Sequence, residues 1–373
     1  MRVLVSGASM AGLSAAYWFS RLGHDVTVVE RSDGLRLGGA PIDVRGPALG
    51  TAERMGILDA IAARRVPRSA PRRVLDAQGS QVATMDLTWF ANETDDDIEI
   101  SRDDLNQLLL EAVGDSVEIV FDETIISLRD DASTGVDVTL SDGSTTIADL
   151  VVGADGLHSN VRRLAFGREE QFLRHLGLYV ALLDLDPSQD WDGSAYSVPG
   201  LSVGIRTELE RPLVFVMFRS PPLDHDHRDL VAQRGLVVDA LGSDDVWELP
   251  RVREQFRDEG TRGFYFDTIS QTRMSSWCTG RTALIGDAAH CAALLSGMGT
   301  SLAMTAAEFL ATEVSRTPDD LRAAFARFEE QQRPLVDKAQ ASVTDNGAMM
   351  VPATTADLER RNALLRELAA AHG

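Results

Sequence analysis

The sequence predicts the α/β class, with a Rossmann-like domain, an inserted β-sheet domain and C-terminal helices. Three observations predict it. Residues 2–30 have the pattern strand, turn, helix, strand; a β-rich stretch lies between about 173 and 269; and the chain returns to strand, turn and helix from Thr282. We therefore expect residues 1–170 to form the first part of the Rossmann-like domain, 171–272 the inserted sheet, and 273–373 the last part with the C-terminal helices.

The opening segment justifies the first domain. Val3-Leu4-Val5 is a short apolar run typical of a strand, and glycines at 7 and 12 mark a tight turn. Residues 13–22 are helical in pattern and Gly23 is a natural helix stop. The β-branched run 26–29 is a second strand, so the order is βαβ with a parallel sheet.

The remaining elements follow from similar patterns. Residues 48–64 and 103–113 are predicted helices, and 137–152 a hairpin that turns at Ser141-Asp142-Gly143. In the inserted domain the predicted strands are 178–183, 201–205, 213–218 and 264–269, around a helix near 229–241; two further helices are predicted at 318–335 and 356–371. Such a sheet suits one wall of a substrate cavity.

Composition excludes several classes of partner. The chain has 373 residues, a net charge of −21 and only two cysteines. The charge argues against nucleic acid and anionic membranes, and no apolar run reaches the ~18 residues of a membrane span. We expect no metal site, because the thiols are too few and the close pair His225 and His227 lies in a Pro/Asp-rich stretch typical of a solvated loop. Without a signal-like N-terminus, a cytoplasmic location is predicted.

The first chemical motif is the turn Gly7-Ala8-Ser9-Met10-Ala11-Gly12, with Glu30 closing the second strand. A dinucleotide site needs a tight turn, small residues and a helix N-terminus aimed at the pyrophosphate. An acidic residue about twenty positions on accepts hydrogen bonds from ribose hydroxyls. Ser9 stands where a central glycine is usual. The alternative is an ordinary strand-to-helix turn, but the strand, the helix and Glu30 together favour nucleotide binding.

Two further motifs follow predicted strands. Gly153-Ala154-Asp155-Gly156-Leu157-His158-Ser159-Asn160-Val161-Arg162 comes after residues 150–152, and Gly286-Asp287-Ala288-Ala289-His290 comes after 282–285. Alone, each is equally a polar turn in which a carboxylate caps the next helix. Further on, Ser296-Gly297-Met298-Gly299-Thr300 opens a helix rich in small residues.

Together, in this order, the three motifs resemble those of the FAD-dependent group A aromatic hydroxylases. This family includes p-hydroxybenzoate hydroxylase, polyketide hydroxylases and tetracycline-inactivating monooxygenases. The resemblance runs from Arg2 to about Val314 and implies an FAD-binding domain with an inserted β-sheet substrate domain. The sequence departs from the family at Leu294, where a proline is usual.

The resemblance also implies roles for individual residues. The pyrophosphate is expected against the turn from Gly7 to Gly12, the ribose on Glu30, and the ribityl chain on Asp287. The full set of expected FAD contacts comprises Gly7, Ser9, Met10, Ala11, Gly12, Glu30, Arg31, Arg45, Arg102, Asp155, Gly286, Asp287, Gly297, Met298, Gly299 and Thr300. Reduced flavin is anionic, and backbone amides of 297–300 at a helix N-terminus would stabilise that charge.

The implied activity is that of a single-component monooxygenase. NAD(P)H reduces FAD, O2 adds to give a flavin C4a-hydroperoxide, and an aromatic or polyketide-like molecule is hydroxylated. The rivals are an FAD-dependent reductase of carbon–carbon double bonds, of the geranylgeranyl reductase type, and a non-catalytic FAD-binding protein, which Ser9 and Leu294 would favour. Both a monomer and a homodimer are compatible with the sequence.

Residues near the flavin ring come mainly from the inserted sheet. On the strand 213–218, alternate side chains point to opposite faces. Either Phe215 and Met217, or Val214, Val216 and Phe218, therefore face the flavin. The candidates are Arg45, Leu294, Arg206, Tyr196, Phe215 and Met217.

Overall fold

The computed structural model describes residues 1–35, 38, 40–67, 69–86, 94, 96–131 and 134–372, without the side chains of 344–346. Its strands are β1 (Arg2–Ser6), β2 (Asp25–Val29), β3 (Ile42–Val44), β4 (Arg72–Leu75), β5 (Gln81–Met85), β6 (Ile98–Ile100), β7 (Glu118–Val120), β8 (Ile125–Asp131), β9 (Gly135–Leu140), β10 (Thr145–Ala148), β11 (Leu150–Gly153), β12 (Leu173–Asp184), β13 (Ala195–Val198), β14 (Leu201–Arg206), β15 (Leu213–Arg219), β16 (Tyr265–Thr272), β17 (Cys278–Thr279) and β18 (Thr282–Leu284).

The helices alternate with these strands at the start of the chain and gather at its end. They are α1 (Met10–Arg21), α2 (Pro47–Met55), α3 (Leu58–Ala63), α4 (Arg102–Val113), α5 (Asn160–Ala165), α6 (Leu230–Leu241), α7 (Leu249–Arg257), α8 (Asp287–His290), α9 (Gly299–Arg316), α10 (Leu321–Ala341), α11 (Val343–Met350) and α12 (Thr355–His372). The predicted α/β fold class is confirmed.

The first sheet places the three motifs side by side. Its strand order is β17-β18-β11-β1-β2-β7, and all neighbours except the β17–β18 pair are parallel. Strands β1, β11 and β18 are therefore adjacent although they come from the start, middle and end of the chain. Each is followed by one of the motif turns, and loops after the carboxyl ends of parallel strands are where such sheets bind ligands.

The second large sheet has the order β16-β12-β15-β14-β13-β4-β5 and is mostly antiparallel. Two of its strands, β4 and β5, come from residues 72–85, which the sequence pattern groups with the first domain. The boundaries at 170 and 272 stay a prediction, and this sheet crosses the first of them. Helices α6 and α7 cover one of its faces, and α12 packs on β5.

Several predicted elements differ from the structure in ways that have local causes. The helix predicted over 48–64 is two helices, α2 and α3, because Gly56 adopts a left-handed conformation (φ 75°) that ends the first. The second arm of the predicted hairpin ends at Ala148. Asp149 then accepts a hydrogen bond from the Arg2 amide (2.7 Å), and the chain continues in β11, which joins the parallel sheet. Helix α7 was not predicted.

None of the helices among the described residues is long and apolar enough to cross a bilayer.

Candidate functional site

The turn between β1 and α1 is packed so closely that only glycine fits at two of its positions. Gly7 has a φ of +102°, and a Cβ there would lie 2.6 Å from the carbonyl oxygen of Ala154. A Cβ on Gly12 would lie 1.8 Å from the carbonyl oxygen of Gly7. The first turn of α1 is therefore pressed against the end of β1, and the first and second motifs are in contact.

Helix α1 begins without a cap of its own. Ser9 is the N-cap residue in extended conformation, its side chain makes no capping hydrogen bond, and the first turn has no acidic residue. Among the described residues, the N–H groups of Met10, Ala11 and Gly12 therefore have no intrahelical partner and no side-chain acceptor. Together with the helix dipole, they form an anion-binding end.

Glu30 ties this turn to the end of β2. One carboxylate oxygen accepts the Ala8 N–H at 2.8 Å and the other accepts the Ser32 N–H at 3.0 Å. Arg31 is exposed beside it. The carboxylate thus lies next to the anion-binding end of α1, at the position that suits a ribose.

Asp155 follows β11 and caps α5, as one interpretation of the second motif expects. Its carboxylate accepts the N–H groups of Asn160 (2.8 Å) and Val161 (3.0 Å) and the hydroxyl of Ser159. Burial raises the pKa of Asp155, although these hydrogen bonds act in the opposite direction. Asp155 therefore has the structural role of capping α5.

Asp287 is the first residue of α8, just after β18. Burial among protein atoms raises its pKa, and the charge of Arg102 acts to lower it. The Asp287 side chain is nevertheless exposed, which is the combination expected of a carboxylate deep in the fold that lines an internal cleft. Gly286 lies against the first turn of α1, because a Cβ there would be 2.9 Å from the Cβ of Ala11. Arg102, the first residue of α4, is thus brought close to the third motif.

The start of α9 is joined to the segment around Arg45. The Arg45 N–H donates to the Ser301 hydroxyl (2.9 Å), and that hydroxyl donates to the Asp43 carbonyl (3.2 Å). The Arg45 guanidinium pairs with the Asp43 carboxylate at 2.7 Å and lies over Gly297, where a Cβ would be 3.3 Å from it. Arg45 is therefore a neighbour of the loop of residues 293–299 that precedes α9 (the glycine loop).

Helix α9 also begins uncapped. Its N-cap residue is Met298, no side chain caps it, and no acidic residue lies in its first turn. Just before it, Gly297 has a φ of 61° and the non-glycine residue Ala293 has a φ of 75°. Leu294, beside this unusual backbone, is 47% exposed. Among the described residues, no side chain therefore caps the amides of 299–301 at this positive end of the helix dipole.

The two faces of the seven-stranded sheet have different neighbours. Val214, Val216 and Phe218 lie in the cluster that α6 and α7 cover. Phe215 and Met217 lie in the opposite cluster, with Ala293 and Leu295 of the loop that precedes α9. The structure thus directs Phe215 and Met217 toward the glycine loop.

The two polar candidates of this sheet lie on opposite faces. Tyr196 is buried on the helix-covered face, and its hydroxyl donates to Asp244 at 3.3 Å, so it does not face the glycine loop. Its inward position follows from its register with Val203 of the same cluster. Arg206 shares the face of Phe215, through the pairing of Arg206 with Leu213, and its guanidinium binds Glu99 and Glu208.

Sequence reasoning missed one group of polar residues. His158 of the second motif lies between Glu169 (2.9 Å) and Asp267 (3.2 Å), and the His227 ring stacks on it with 3.9 Å between centroids. Burial opposes its charged form, but the hydrogen bonds to Asp267 and Glu169 raise the pKa of His158 to about 9. The sequence showed His158 as part of the second motif, but nothing in it marked Asp267, a single aspartate on a strand, as a partner of His158.

These features fit FAD at one site. The uncapped N-terminus of α1 suits a pyrophosphate and that of α9 a charged ring. The Glu30 carboxylate suits a ribose, and the exposed Asp287 carboxylate suits a ribityl chain. The turn is too narrow for a Cβ at Gly7 or Gly12, so a ligand bound there would contact backbone atoms.

Comparisons with known proteins agree with this geometry. Residues 1–195 match the family described as FAD binding domain. An uncharacterised protein of Mycobacterium tuberculosis is 40% identical over 367 residues, which cover 96% of each chain. A flavin-dependent monooxygenase of Legionella longbeachae is 34% identical over 357 residues, covering 91% of this chain and 87% of that protein. The crystal structure of tetracycline destructase Tet(51) superposes with a TM-score of 0.83 at 30% identity, covering 98% of this chain and 95% of that one.

Proposed function

Because the chain belongs to the FAD-binding-domain family of flavin-dependent monooxygenases, we propose that it uses NAD(P)H and O2 to hydroxylate an aromatic or polyketide-like molecule. One oxygen atom of O2 enters the substrate and the other leaves as water, with NAD(P)H supplying two electrons. Bound FAD supplies the redox chemistry, and the protein supplies binding, orientation and electrostatics.

The first part of the proposal concerns the FAD contacts. The amides of Met10, Ala11 and Gly12 would hold the pyrophosphate, and Glu30 the adenosine ribose. Gly286 and Asp287 would meet the ribityl chain, with Arg102 nearby to balance the carboxylate. Asp155 would act by shaping the turn that abuts Gly7, since its oxygens already accept bonds from α5.

The second part concerns the charge on the reduced ring. The amides of Gly299 and Thr300 at the uncapped end of α9 would face this charge, and the dipole of an 18-residue helix supports them. Gly297 and Gly299 leave backbone rather than side chains at the contact. The Arg45 guanidinium lies over Gly297 on the same side, with its charge paired to the Asp43 carboxylate at 2.7 Å.

The third part concerns the substrate. Phe215 and Met217 would form an apolar wall opposite the glycine loop, which excludes water and holds a flat ring system. Arg206, on this face, is held by Glu99 and Glu208 at the end of its strand and would border the wall. Leu294 would contact the ring edge from the loop. Tyr196 has no part in this proposal.

One observation carries the proposal: Ala293 and Leu295, in the loop just before the uncapped start of α9, belong to the same apolar cluster as Phe215 and Met217. Backbone N–H donors fixed beside an apolar surface suit a site where negative charge develops on a ring and an apolar molecule must lie close to that ring.

The test starts from the visible spectrum of the purified protein. We expect a yellow protein whose flavin band bleaches with NADPH or NADH without air, bleaches faster with a phenolic or fused-ring polyketide such as a tetracycline, and recovers when air is admitted. With 18O2 the product should gain one labelled oxygen atom, measured by mass spectrometry.

The other outcomes separate the rivals. Slow recovery in air but fast recovery with an alkene would show a double-bond reductase. A flavin that neither NADPH nor NADH reduces, with every candidate substrate present, would show a non-catalytic FAD-binding protein. A colourless protein that takes up no added FAD would overturn the proposed FAD contacts.

A further inference from the structure

Two histidines and two carboxylates meet at the edge of the seven-stranded sheet, outside the proposed flavin contacts. His158 lies in the turn after β11, Glu169 in the segment before β12, and Asp267 on the edge strand β16. His227 comes from the segment between β15 and α6. Three separate parts of the chain are therefore joined to the second motif by side chains that are all able to ligate a metal.

The distances suit a transition-metal ion. One ligand atom each from His158, His227 and Asp267 lie within 4.8 Å of one another. The His158 Nε2 and the nearer Asp267 oxygen are 3.2 Å apart. Bonds of 2.0–2.1 Å in a tetrahedral zinc site require ligand atoms about 3.3 Å apart, so zinc would replace the proton that this hydrogen-bonded pair shares, and release it to solvent, with little change in their separation.

His158 and Asp267 have hydrogen-bond partners of the kind that usually hold metal ligands in place. A metal-bound imidazole donates its other N–H to a carboxylate, and the His158 Nδ1 lies 2.9 Å from Glu169. Glu169 is itself held by the buried guanidinium of Arg162 at 3.0 Å. The Asp267 oxygen accepts the Thr268 N–H at 2.7 Å. His158 and Asp267 therefore each have a hydrogen-bond partner that fixes the orientation of the side chain.

His227 is the ligand that must move. Its ring stacks on His158 with 3.9 Å between centroids, closer than two imidazoles sit when they share an ion, and its side chain is exposed. A rotation outward opens space between the two rings. The neighbouring His225 ring lies 4.8 Å away and has a buried Nε2 without a hydrogen-bond partner among the described atoms.

We propose that His158, His227 and Asp267 form a binding site for a divalent transition metal such as Zn2+, with water in the fourth position. Two imidazoles and a carboxylate are a ligand set that zinc accepts. The ion ties the segment between β15 and α6 to strand β16 and to the turn that carries Asp155. It connects the seven-stranded sheet to the domain that carries the three motifs, and it takes no part in the flavin chemistry.

The experiment uses the full-length holoprotein without an affinity tag, incubated with ZnCl2, dialysed, and assayed for zinc by mass spectrometry. We expect about one zinc per chain in the wild type and less than a tenth of that in His227→Asn and Asp267→Asn. The control, His372→Asn, removes an exposed histidine from the far end of the chain and should retain zinc like the wild type.

A second readout does not depend on stoichiometry. Co2+ bound by two imidazoles and a carboxylate should show visible d–d absorption in the wild type that His227→Asn lacks, while flavin content and folding of that exposed variant stay the same. Equal zinc retention by wild type and His227→Asn, or no retention by the wild type, would overturn the site. Neither result bears on the monooxygenase proposal, which the flavin spectra test.

Discussion

Helices α1 and α9 begin differently from α5 and α10. Ser159 accepts the Arg162 N–H at 3.0 Å at the start of α5, and Asp320 accepts the Ala323 N–H at 3.0 Å at the start of α10. Neither α1 nor α9 has a side-chain cap or an acid in its first turn. A cap stabilises a helix by roughly 1 kcal/mol, so a helix that starts without one leaves amides available to something else. Other helices, such as α2 and α7, also start without a side-chain cap, but α1 and α9 are the uncapped helices that follow the glycine turns of the proposed FAD site.

The largest expected effect comes from Gly12→Ala in α1. The new Cβ would lie 1.8 Å from the Gly7 carbonyl oxygen, which is backbone and unable to yield without moving the turn. We expect FAD affinity to fall tenfold or more, about 1.4 kcal/mol at least. The ratio of flavin to protein absorbance and an FAD titration measure it.

Its matched control is Gly235→Ala in α6, where nothing lies within 4 Å of the added Cβ. That change should stabilise the fold by about 0.5–1 kcal/mol and leave FAD affinity unchanged. Equal FAD affinity in Gly12→Ala and wild type would show that the close turn is not the pyrophosphate site.

Ser9→Asp tests the uncapped start of α1 directly. The carboxylate would cap the helix and stabilise the apoprotein by about 0.3–1 kcal/mol through the helix dipole. It would also repel the pyrophosphate, and we expect about a tenfold loss of FAD affinity. Thermal unfolding of the apoprotein and an FAD titration should therefore change in opposite directions. Ser9→Asn, a neutral cap of the same shape, separates the charge from the cap, and a Ser9→Asp protein with unchanged FAD affinity would contradict the comparison.

Met298→Asp applies the same test to α9. An anion at this N-cap would oppose the extra charge of the reduced ring, so the flavin midpoint potential should become more negative by roughly 30 mV, equivalent to ~1.4 kcal/mol for two electrons. Reduction with a reference dye measures the potential, and Met298→Asn is the neutral control. A shift of the same size in both variants would place the flavin ring elsewhere.

Asp320→Ala has the smallest expected effect, because α10 is capped for stability alone. Loss of the bond to the Ala323 N–H should lower the free energy of unfolding by about 1 kcal/mol, measured by denaturant titration of the holoprotein and apoprotein. FAD affinity should not change, and Asp320→Asn should restore most of the stability. A marked loss of FAD affinity would remove the distinction between the two kinds of helix.

Much of the motif domain could be predicted from the sequence because each motif is local. A strand, a glycine turn and a helix start lie within a few residues of one another. Glycines such as Gly7 and Gly12 mark the positions where the backbone packs too closely for a side chain. The α/β class followed from such segments, and the resemblance of the three motifs indicated the FAD-dependent family. The break at Gly56 was missed because a single glycine within a helical pattern is compatible with both one helix and two.

Other features depended on contacts between distant segments. Both faces of β15 are apolar, so alternation was unable to show that Phe215 and Met217, rather than Val216 and Phe218, meet the glycine loop. Tyr196 belongs to β13, a strand that the sequence pattern did not predict, so its place on the helix-covered face was not visible in the sequence.

Local sequence determined the fold class, the family and the order of the cofactor motifs, because backbone geometry in a turn depends on its own residues. Tertiary structure alone decided which strands complete the substrate sheet, which of its faces meets the loop before α9, and that His158, His227 and Asp267 come together. These outcomes depend on the packing of segments more than a hundred residues apart, such as those of His158 and Asp267, where period and composition carry no information about which partner is chosen.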